Sequence, residues 1–466
     1  MISKIYVETL GCKINQYETA CVLDEFINNG FIETKFIEQA DIIIINTCTV
    51  TNRTDYKSRS LITKAENIKR AKPDLNIIVT GCYAQNNRDT ILSSGYIDLV
   101  VDNNNKNLIY DYIKNNQHSE LCKVNTFDTP QQFSGFSEMS MDMMHDRNRA
   151  FLKIQDGCDF HCSYCVVPSV RGNPRSRSFE SITRQVETLL DNGYEEIVLG
   201  GINLGLYGTD IEEWNQIDLA DLLIELAKHD RLKQIRLSSI EPQLFTDKLL
   251  SVISSIDKIC PHFHIPLQTG SDYLLNLHKR KYTTQQFLEL VDKLRDIKLY
   301  CALGFDVIVG LPEESDEYFQ ETYDLLESID FTYLHIFNYS KRKGTLAATM
   351  KNQIHGSVVK ERSNKLHELL LTKKGDYIKR LIDEKIVLEA VPESYDEKTE
   401  LWSSTSDRYI KVYYKFGARK TESGIKDRRI LKLMPVKKHS DGVLCEVLAS
   451  SYPTLKEKEN KIKGSL

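Results

Sequence analysis

The sequence predicts an α/β fold in three units: an N-terminal open parallel sheet, a central incomplete parallel (β/α)6 barrel, and a small C-terminal all-β barrel. Three observations carry this. Short apolar runs of strand length alternate with helical stretches from the N-terminus to residue 115, the pattern of a parallel sheet covered on both faces. The alternation stops in a polar stretch without period, then resumes at Phe151 for six further strand–helix units. Beyond residue 386 helical periodicity gives way to strands, of which Tyr409–Tyr414 is the clearest.

In the first unit, strand-like Ile5–Thr9 precedes a helix around Glu18–Asn28, and Ile42–Asn46 precedes a charged helix around Asp55–Lys69. Leu75–Thr80 precedes a shorter helix near Asn86–Leu92, and Ile97–Val101 with a helix through Leu108–Lys114 completes the unit. Barrel strands are expected at Phe151–Gln155, Glu196–Gly200, Gln234–Ser238, His262–Pro266, Ala302–Val309 and Tyr333–Phe337, with helices such as Ser181–Leu190 and Gln285–Ile297 between them. A basic helix around Val358–Ile382 leads into the C-terminal unit. The implied division is 1–116, a linker at 117–145, the barrel and its following helix at 146–384, the β unit at 385–450 and a tail at 451–466. In a parallel barrel the chemistry sits at the C-terminal strand ends.

The 466 residues are 41% hydrophobic and 27% charged, an ordinary soluble composition. No apolar run approaches the ~20 residues needed to cross a bilayer, and Met1–Glu8 alternates like a strand and lacks a signal-peptide core. A cytoplasmic location is expected, so the 11 cysteines read as metal ligands or buried thiols rather than disulfides. The net charge of -5 excludes a uniformly basic nucleic-acid binder. Residues 401–440, however, hold eleven Lys/Arg against three acids, an excess that suits a phosphate-facing surface.

Cys158, Cys162 and Cys165 stand in Cys-Asp-Phe-His-Cys-Ser-Tyr-Cys, directly after the first barrel strand. Three thiols with no fourth nearby leave one coordination position open, as reactive metal sites do. Zinc sites usually pair two Cys-x-x-Cys steps or add histidines, and His161 beside Cys162 need not reach the same metal. An iron–sulfur cluster whose fourth iron holds a cofactor such as S-adenosylmethionine (SAM) is the better reading. A second set is scattered. Cys12, Cys48 and Cys82 each follow one of the first three strands, where the loops of an open parallel sheet converge on a ligand. Gly11 and Gly81 permit tight turns beside a bound group. Three thiols at three equivalent strand ends outweigh the reading of each as an unrelated buried cysteine. Cys21, Cys122, Cys260, Cys301 and Cys445 share no such pattern and read as ordinary cysteines.

Thr-Leu-Gly-Cys-Lys-Ile-Asn at 9–15, Asn-Thr-Cys at 46–48, Gly-Cys at 81–82 and Cys-x-x-x-Cys-x-x-Cys at 158–165 together resemble the radical-SAM methylthiotransferases. The resemblance continues through Arg149–Gly157, Arg236–Pro242, His264–Asp272, Asp306–Gly310 and Tyr339–Thr345, covering nearly the whole chain. The Gly-Cys-Lys step resembles the branch that modifies N6-threonylcarbamoyladenosine in tRNA; the isopentenyladenosine branch more often shows Gly-Cys-Gln, and the ribosomal-protein branch Gly-Cys-Pro. His278, where the family often has methionine, and Glu313, where glycine is frequent, are departures expected in helix or loop.

The resemblance implies two 4Fe–4S clusters. The one on Cys158, Cys162 and Cys165 binds SAM and starts the radical; the one on Cys12, Cys48 and Cys82 carries the sulfur to be inserted, which a second SAM methylates. The implied product is 2-methylthio-N6-threonylcarbamoyladenosine at position 37, with tRNA and an electron donor such as a flavodoxin or ferredoxin as partners, no membrane, and an unassigned sulfur donor. Gly201, Asn203, Ser238, Ser239, Glu241 and Gln268, at or beyond strand ends, are candidate SAM contacts, set against ordinary loop hydrogen bonding. Arg171, Arg175 and Arg177 are candidates for a carboxylate or an RNA phosphate, or a solvated loop. The C-terminal unit resembles the TRAM RNA-binding barrel, and Lys411, Lys415, Arg428 and Arg429 are its candidate RNA contacts, with Tyr409, Tyr413, Tyr414 and Phe416 interleaved for base stacking or for filling the barrel. Alternatives are the same chemistry on isopentenyladenosine tRNA or a ribosomal-protein aspartate, or a non-catalytic iron–sulfur protein that binds RNA or carries electrons.

Overall fold

The computed structural model describes residues 3–115, 127–144, 147–211, 217–417 and 428–449. Cys122, Arg419, Lys420, Lys426 and the expected tail lie outside these residues. Among the described residues no helix is long and apolar enough to cross a membrane.

The N-terminal unit is a parallel sheet of β1 (Lys4–Thr9), β2 (Ile32–Glu33), β3 (Ile42–Thr47), β4 (Asn76–Gly81) and β5 (Leu99–Val100), in the order β2–β1–β3–β4–β5. Helices α1 (Lys13–Asn28), α2 (Asn52–Ala71) and α3 (Cys82–Leu92) cover it, and α4 (Ile109–Asn115) closes the unit. Every residue of central β3 is buried, which is why it reads as an unbroken Ile42–Ile45 run and not as an alternation. α2 starts at a capping box between Thr51 and Thr54, ahead of the charged stretch that marks it in the sequence.

The second unit opens with β6 (Ala150–Lys153), followed by the antiparallel pair β7 (Gln155–Asp156) and β8 (Arg175–Ser176), between which lies α5 (Pro168–Arg171). Then come α6 (Phe179–Asp191), β9 (Glu196–Gly200), α7 (Leu219–Ala227), β10 (Gln234–Leu237), α8 (Asp247–Ser255) and β11 (His262–Gln268). The unit ends with α9 (Asp272–Leu277), α10 (Thr284–Ile297), β12 (Ala302–Val309), α11 (Asp316–Ser328) and β13 (Tyr333–Asn338). Parallel ladders β6–β9–β10 and β11–β12–β13 form the two halves of the incomplete barrel. The seam between them is bridged by Cys260 N donating to Ile235 O at 2.9 Å.

Helix α12 (Gly356–Asp383) leads to a curled, mixed half-barrel of β14 (Leu388–Ala390), β15 (Ser394–Asp396), β16 (Leu401–Thr405), β17 (Lys411–Tyr414), β18 (Leu431–His439) and β19 (Gly442–Val447). Its order is β14–β18–β19–β17–β16–β15, antiparallel except for the β17–β19 pair. Tyr409, expected within the strand, instead occupies a left-handed position (φ 57°) in a turn where Tyr409 N donates to Ser406 O at 2.9 Å. That turn breaks the alternation and sends the ring into the barrel floor, stacked on His262 at 4.5 Å.

A buried ionic network holds the first two units together. Glu18 of α1 accepts from Lys106, from Lys153 Nζ of β6 (2.7 Å) and from Arg171 Nη1 of α5 (2.8 Å). Asp156 accepts from Lys153 (2.7 Å) and Arg171 (3.0 Å), with Arg175 at 3.5 Å. Burial alone pushes the Glu18 carboxyl up, but Arg171, Lys106 and Lys153 outweigh it and hold it well below the usual range. Replacing Glu18 by Gln leaves three buried cations without their shared anion and should cost about 3–5 kcal/mol of stability, read as a fall in the urea midpoint of the full chain at pH 7. Lys228→Gln, at the exposed pair with Glu225, should cost under about 1 kcal/mol.

Candidate active site

The first cysteine triad lies on the loop between β7 and α5. Cys158 N donates to Gly172 O (3.0 Å), and Cys165 N to Cys162 O (3.0 Å), so the loop is folded on its own backbone. Ser163, between two of the cysteines, is held from three sides: its amide donates to His278 O (3.2 Å), its hydroxyl pairs with His278 Nδ1 (2.6 Å), and its carbonyl accepts from Ala347 N (2.8 Å). His161 is exposed, in the left-handed region (φ 48°).

The second triad comes from adjacent strands in register. Thr9 pairs with Asn46 and Thr47 with Gly81, so Cys12, Cys48 and Cys82 leave β1, β3 and β4 at one end of the sheet. Both glycines are required by close approach. A Cβ at Gly11 (φ 100°) would stand 2.7 Å from Cys48 Sγ, and one at Gly81 (φ 95°) 2.3 Å from Thr47 O. Asn15 Nδ2 ties the loops by donating to Leu10 O (2.8 Å) and Thr47 O (3.0 Å). Cys82 packs against Val166 and Val170, which closely follow Cys165, and Asn103 Nδ2 donates to Val170 O at 2.8 Å. Cys82 of the second triad therefore packs, across the interface of the two units, against the segment that follows the first triad.

Among the described residues, the ligand atoms of neither triad all lie within 4.8 Å of one another. A single tetrahedral zinc, with Zn–S of about 2.3 Å, needs sulfurs about 3.8 Å apart, so neither set is arranged around one zinc ion. Burial pushes the Cys48 and Cys158 thiols up to about 11, and Cys165 to about 12, with neighbouring cysteines adding to each shift. Thiolates here depend on positive charge nearby. Arg280 Nη1 supplies it 3.3 Å from Cys162 Sγ; burial raises the Cys12 thiol as well, and there Arg171 works against the rise.

The candidate SAM contacts divide. The Asn203 side chain is buried with its amide turned toward the Cys158 thiol, which it helps hold down, and the Ser238 hydroxyl is buried without a partner and so is available to a ligand. Ser239 Oγ is engaged with His264 Nδ1 (2.7 Å), and Glu241 with Arg280. Burial raises the Glu241 carboxyl despite that arginine. Gln268 sits at the register shift ending β11 in the left-handed region (φ 67°). Gly201 has a packing reason of its own, since a Cβ there would stand 2.8 Å from Gln155 Oε1. Arg171, Arg175 and Arg177 do not face RNA: all three are buried, and Arg177 is taken up by Glu138 and the Tyr17 hydroxyl, each at 3.0 Å. They follow the cluster loop back under α1, where Glu18 and Asp156 wait for them.

Sequence reasoning missed Arg280, which lies in a Lys279-Arg280-Lys281 run that reads as solvated; its stacking over Tyr282 (5.1 Å) is the one local signal. It also missed a polar chain inside the barrel. His264 Nε2 meets Asp306 Oδ1 at 2.8 Å and His335 Nδ1 meets the same oxygen at 3.0 Å. Burial would raise the Asp306 carboxyl, but the two imidazoles outweigh it and hold it at about 2. With a folded value below the unfolded ~3.9, its contribution is full above about pH 4 and is lost as pH falls toward 2. Asp306→Asn should therefore cost up to about 2–3 kcal/mol at pH 7, and the gap to wild type in thermal unfolding should close between pH 4 and 2.

On the C-terminal sheet, Lys411 and Lys415 are exposed, in loose pairs with Asp441 and Glu400 at 3.9 Å each. Tyr413 donates to Asp441 (2.5 Å), whereas Tyr414 is wholly buried and bonded to Ser404 (2.8 Å), a core residue and not a stacking platform. Phe416 packs against the same core. Arg428 is also spent on the fold: its guanidinium lies 4.0 Å from the Tyr194 ring centroid and donates to Asn192 O (2.6 Å), clamping this sheet to the barrel. Arg429 is engaged too.

Comparison with known proteins places these observations. The Radical SAM superfamily matches residues 152–326, and uncharacterized protein family UPF0004 matches 4–102, so each cysteine triad falls within one match. A threonylcarbamoyladenosine tRNA methylthiotransferase MtaB of Bacillus subtilis is 39% identical over 89% of this chain and 91% of its own. That of Aquifex aeolicus is 37% identical over 81% and 90%. A tRNA-2-methylthio-N(6)-dimethylallyladenosine synthase of Pelagibacter ubique is 34% identical over 75% and 78%. In fold, the chain is similar to the radical S-adenosylmethionine methyltransferase TsrM of Kitasatospora setae, with a TM-score of 0.54 and 13% identity over 75% of this chain and 77% of that one. A family match on each triad and full-length relatives above 30% identity agree: this chain belongs to the radical-SAM methylthiotransferase family and is a radical-SAM tRNA methylthiotransferase.

Proposed function

We propose that the enzyme converts N6-threonylcarbamoyladenosine at position 37 of tRNA to its 2-methylthio form. The observation that carries this is a second cysteine triad, on three N-terminal strand ends, whose Cys82 packs against the segment that follows the barrel-loop triad. One cluster suffices to start a radical; a second set of ligands on the neighbouring unit is explained by a reaction that also inserts sulfur. The base follows the two relatives named for threonylcarbamoyladenosine and the Gly11-Cys12-Lys13 step.

In this reading Cys158, Cys162 and Cys165 hold a 4Fe–4S cluster that, with SAM, supplies a radical able to take a hydrogen too weakly acidic for any side-chain base. Ser238 offers an unpartnered hydroxyl for the cofactor, and Arg280 offsets charge at Cys162. Cys12, Cys48 and Cys82 hold the second 4Fe–4S cluster. Lys411 and Lys415, with exposed Lys437 and Lys438 on β18, present cations to the tRNA backbone, and a flavodoxin- or ferredoxin-type protein supplies electrons.

Cys162→Ala and Cys48→Ala should each lower iron in the anaerobically reconstituted chain by about half, and only Cys162→Ala should abolish formation of 5′-deoxyadenosine from SAM. Mass spectrometry of tRNA nucleosides from cells lacking the gene should show loss of the methylthio nucleoside and accumulation of N6-threonylcarbamoyladenosine. Accumulation of N6-isopentenyladenosine instead would move the substrate to the other tRNA branch.

A further inference from the structure

We propose that Lys13 and Arg147 form a carboxylate-binding subsite that reads the acidic N6 substituent of the substrate; this rests on the function proposed above. A cavity of about 400 Å3 opens between α1, the floor of the barrel and the C-terminal sheet, a size that admits a small organic ligand. Phe151 and Val198 of the barrel and the ring of Tyr409 give it an apolar wall. Its charged lining is one-sided: Lys13, Arg147, Arg149 and Arg236 against Glu393.

Two of those cations are neutralised within the protein. Arg149 pairs with Glu393 (2.5 Å) and Glu196 (3.7 Å). Arg236 pairs with Glu196 (2.8 Å) and donates to Ser406 O (2.9 Å) and Asp407 O (3.0 Å). Lys13 and Arg147 are left. Both are exposed to the cavity mouth, and among the described residues neither meets a carboxylate. Arg147 donates to Gln16 Oε1 (2.8 Å), and Lys13 stands 5.4 Å from the centroid of the Tyr409 ring. Gln16 lies one turn of α1 beyond Lys13, so the bond from Arg147 brings both cations to one face of the helix.

The occupant that matches is a flat ring system carrying polar groups and one carboxylate. N6-threonylcarbamoyladenosine has that carboxylate; isopentenyladenosine ends in hydrocarbon. Lys13 follows Cys12 directly, so an anion bound there is adjacent to the second triad, where the base has to react. The left-handed turn at Tyr409 acquires a purpose as well, because it stacks the ring on His262 (4.5 Å) with Lys13 5.4 Å from its centroid.

The test is equilibrium binding of the iron-loaded full chain to anticodon stem-loop RNAs that carry, at one position, N6-threonylcarbamoyladenosine, its methyl ester, or adenosine. The wild type should bind the free acid about tenfold more tightly than the ester, the value of one hydrogen-bonded charge. Lys13→Gln and Arg147→Gln should each bring that ratio close to one, while iron content and affinity for the adenosine RNA stay as in wild type. Arg147→Gln keeps the test decisive if replacement beside Cys12 disturbs the metal. A ratio that is absent in wild type, or that persists in both variants at full iron content, overturns the subsite. Methylthiolation of the free-acid RNA by the same wild-type preparation separates the two ideas: if product forms despite either result, the subsite alone falls. If the same preparation thiolates a further stem-loop carrying isopentenyladenosine and not the free-acid RNA, the substrate assignment falls with it.

Discussion

One buried carboxylate, Glu18, gathers cations from three separate stretches of chain, and the geometry of the active site depends on it. Lys106 comes from the end of the first unit, Lys153 from the first barrel strand and Arg171 from the helix after the cluster loop. With Arg175 included, the network holds four cations against Glu18 and Asp156, all deeply buried. An excess of buried positive charge is costly unless something negative stands beside it. The second cysteine triad stands there: burial raises the Cys12 thiol and Arg171 works against that rise, while Cys82 acts on both Arg171 and Lys106. Docking of the two units and the charge of the second cysteine triad are thus one electrostatic arrangement. Asn15 joins the two mechanically, accepting from Arg171 Nη2 at 2.6 Å while its amide spans the Leu10 and Thr47 carbonyls.

Much of this was legible in the chain. Glu196–Gly200 and Ala302–Val309 are strands over the residues that their apolar runs mark, because a strand buried on both faces needs no other signal. The second triad could be assembled from sequence because each cysteine follows a strand, and neighbouring parallel strands end at a common level. What was not legible is which charged side chains turn inward. Arg171, Arg175 and Arg177 look like any basic loop, and their burial is decided by Glu18, Asp156 and Tyr17, of which Glu18 and Tyr17 lie more than a hundred residues away. Tyr409 failed for a related reason: composition marks a strand, but a turn closed by Ser406 takes the residue out of the sheet.

The two departures from the family pattern have local accounts. Buried His278 bonds Ser163 Oγ through one nitrogen and Pro312 O through the other (3.2 Å), so it links the cluster loop to the segment after β12. Methionine could fill the space but could make neither bond as strongly. Glu313 occupies a left-handed position (φ 69°), where glycine is the undemanding choice. Here its amide donates to Asn352 O (3.1 Å) and its carboxylate accepts from Asn352 Nδ2 (2.6 Å), which offsets the backbone strain.

The C-terminal sheet is part of the catalytic body and not a loosely tethered accessory. Arg236 reaches from β10 to two of its backbone carbonyls, Arg428 grips the loop before β9, and Tyr377 of α12 donates to Tyr300 O at 2.7 Å. From Tyr409 a run of rings continues into the barrel: Tyr333 at 4.9 Å, then His335 at 5.1 Å and His264 at 5.6 Å. Closely packed rings of this kind have little freedom to slide without losing contact. Were the exposed lysines of the outer sheet to hold the polynucleotide, as proposed, they would hold it against a floor whose position is fixed relative to both cysteine triads. Placement of one base then becomes a property of the rigid fold, and the cations outside need only supply affinity.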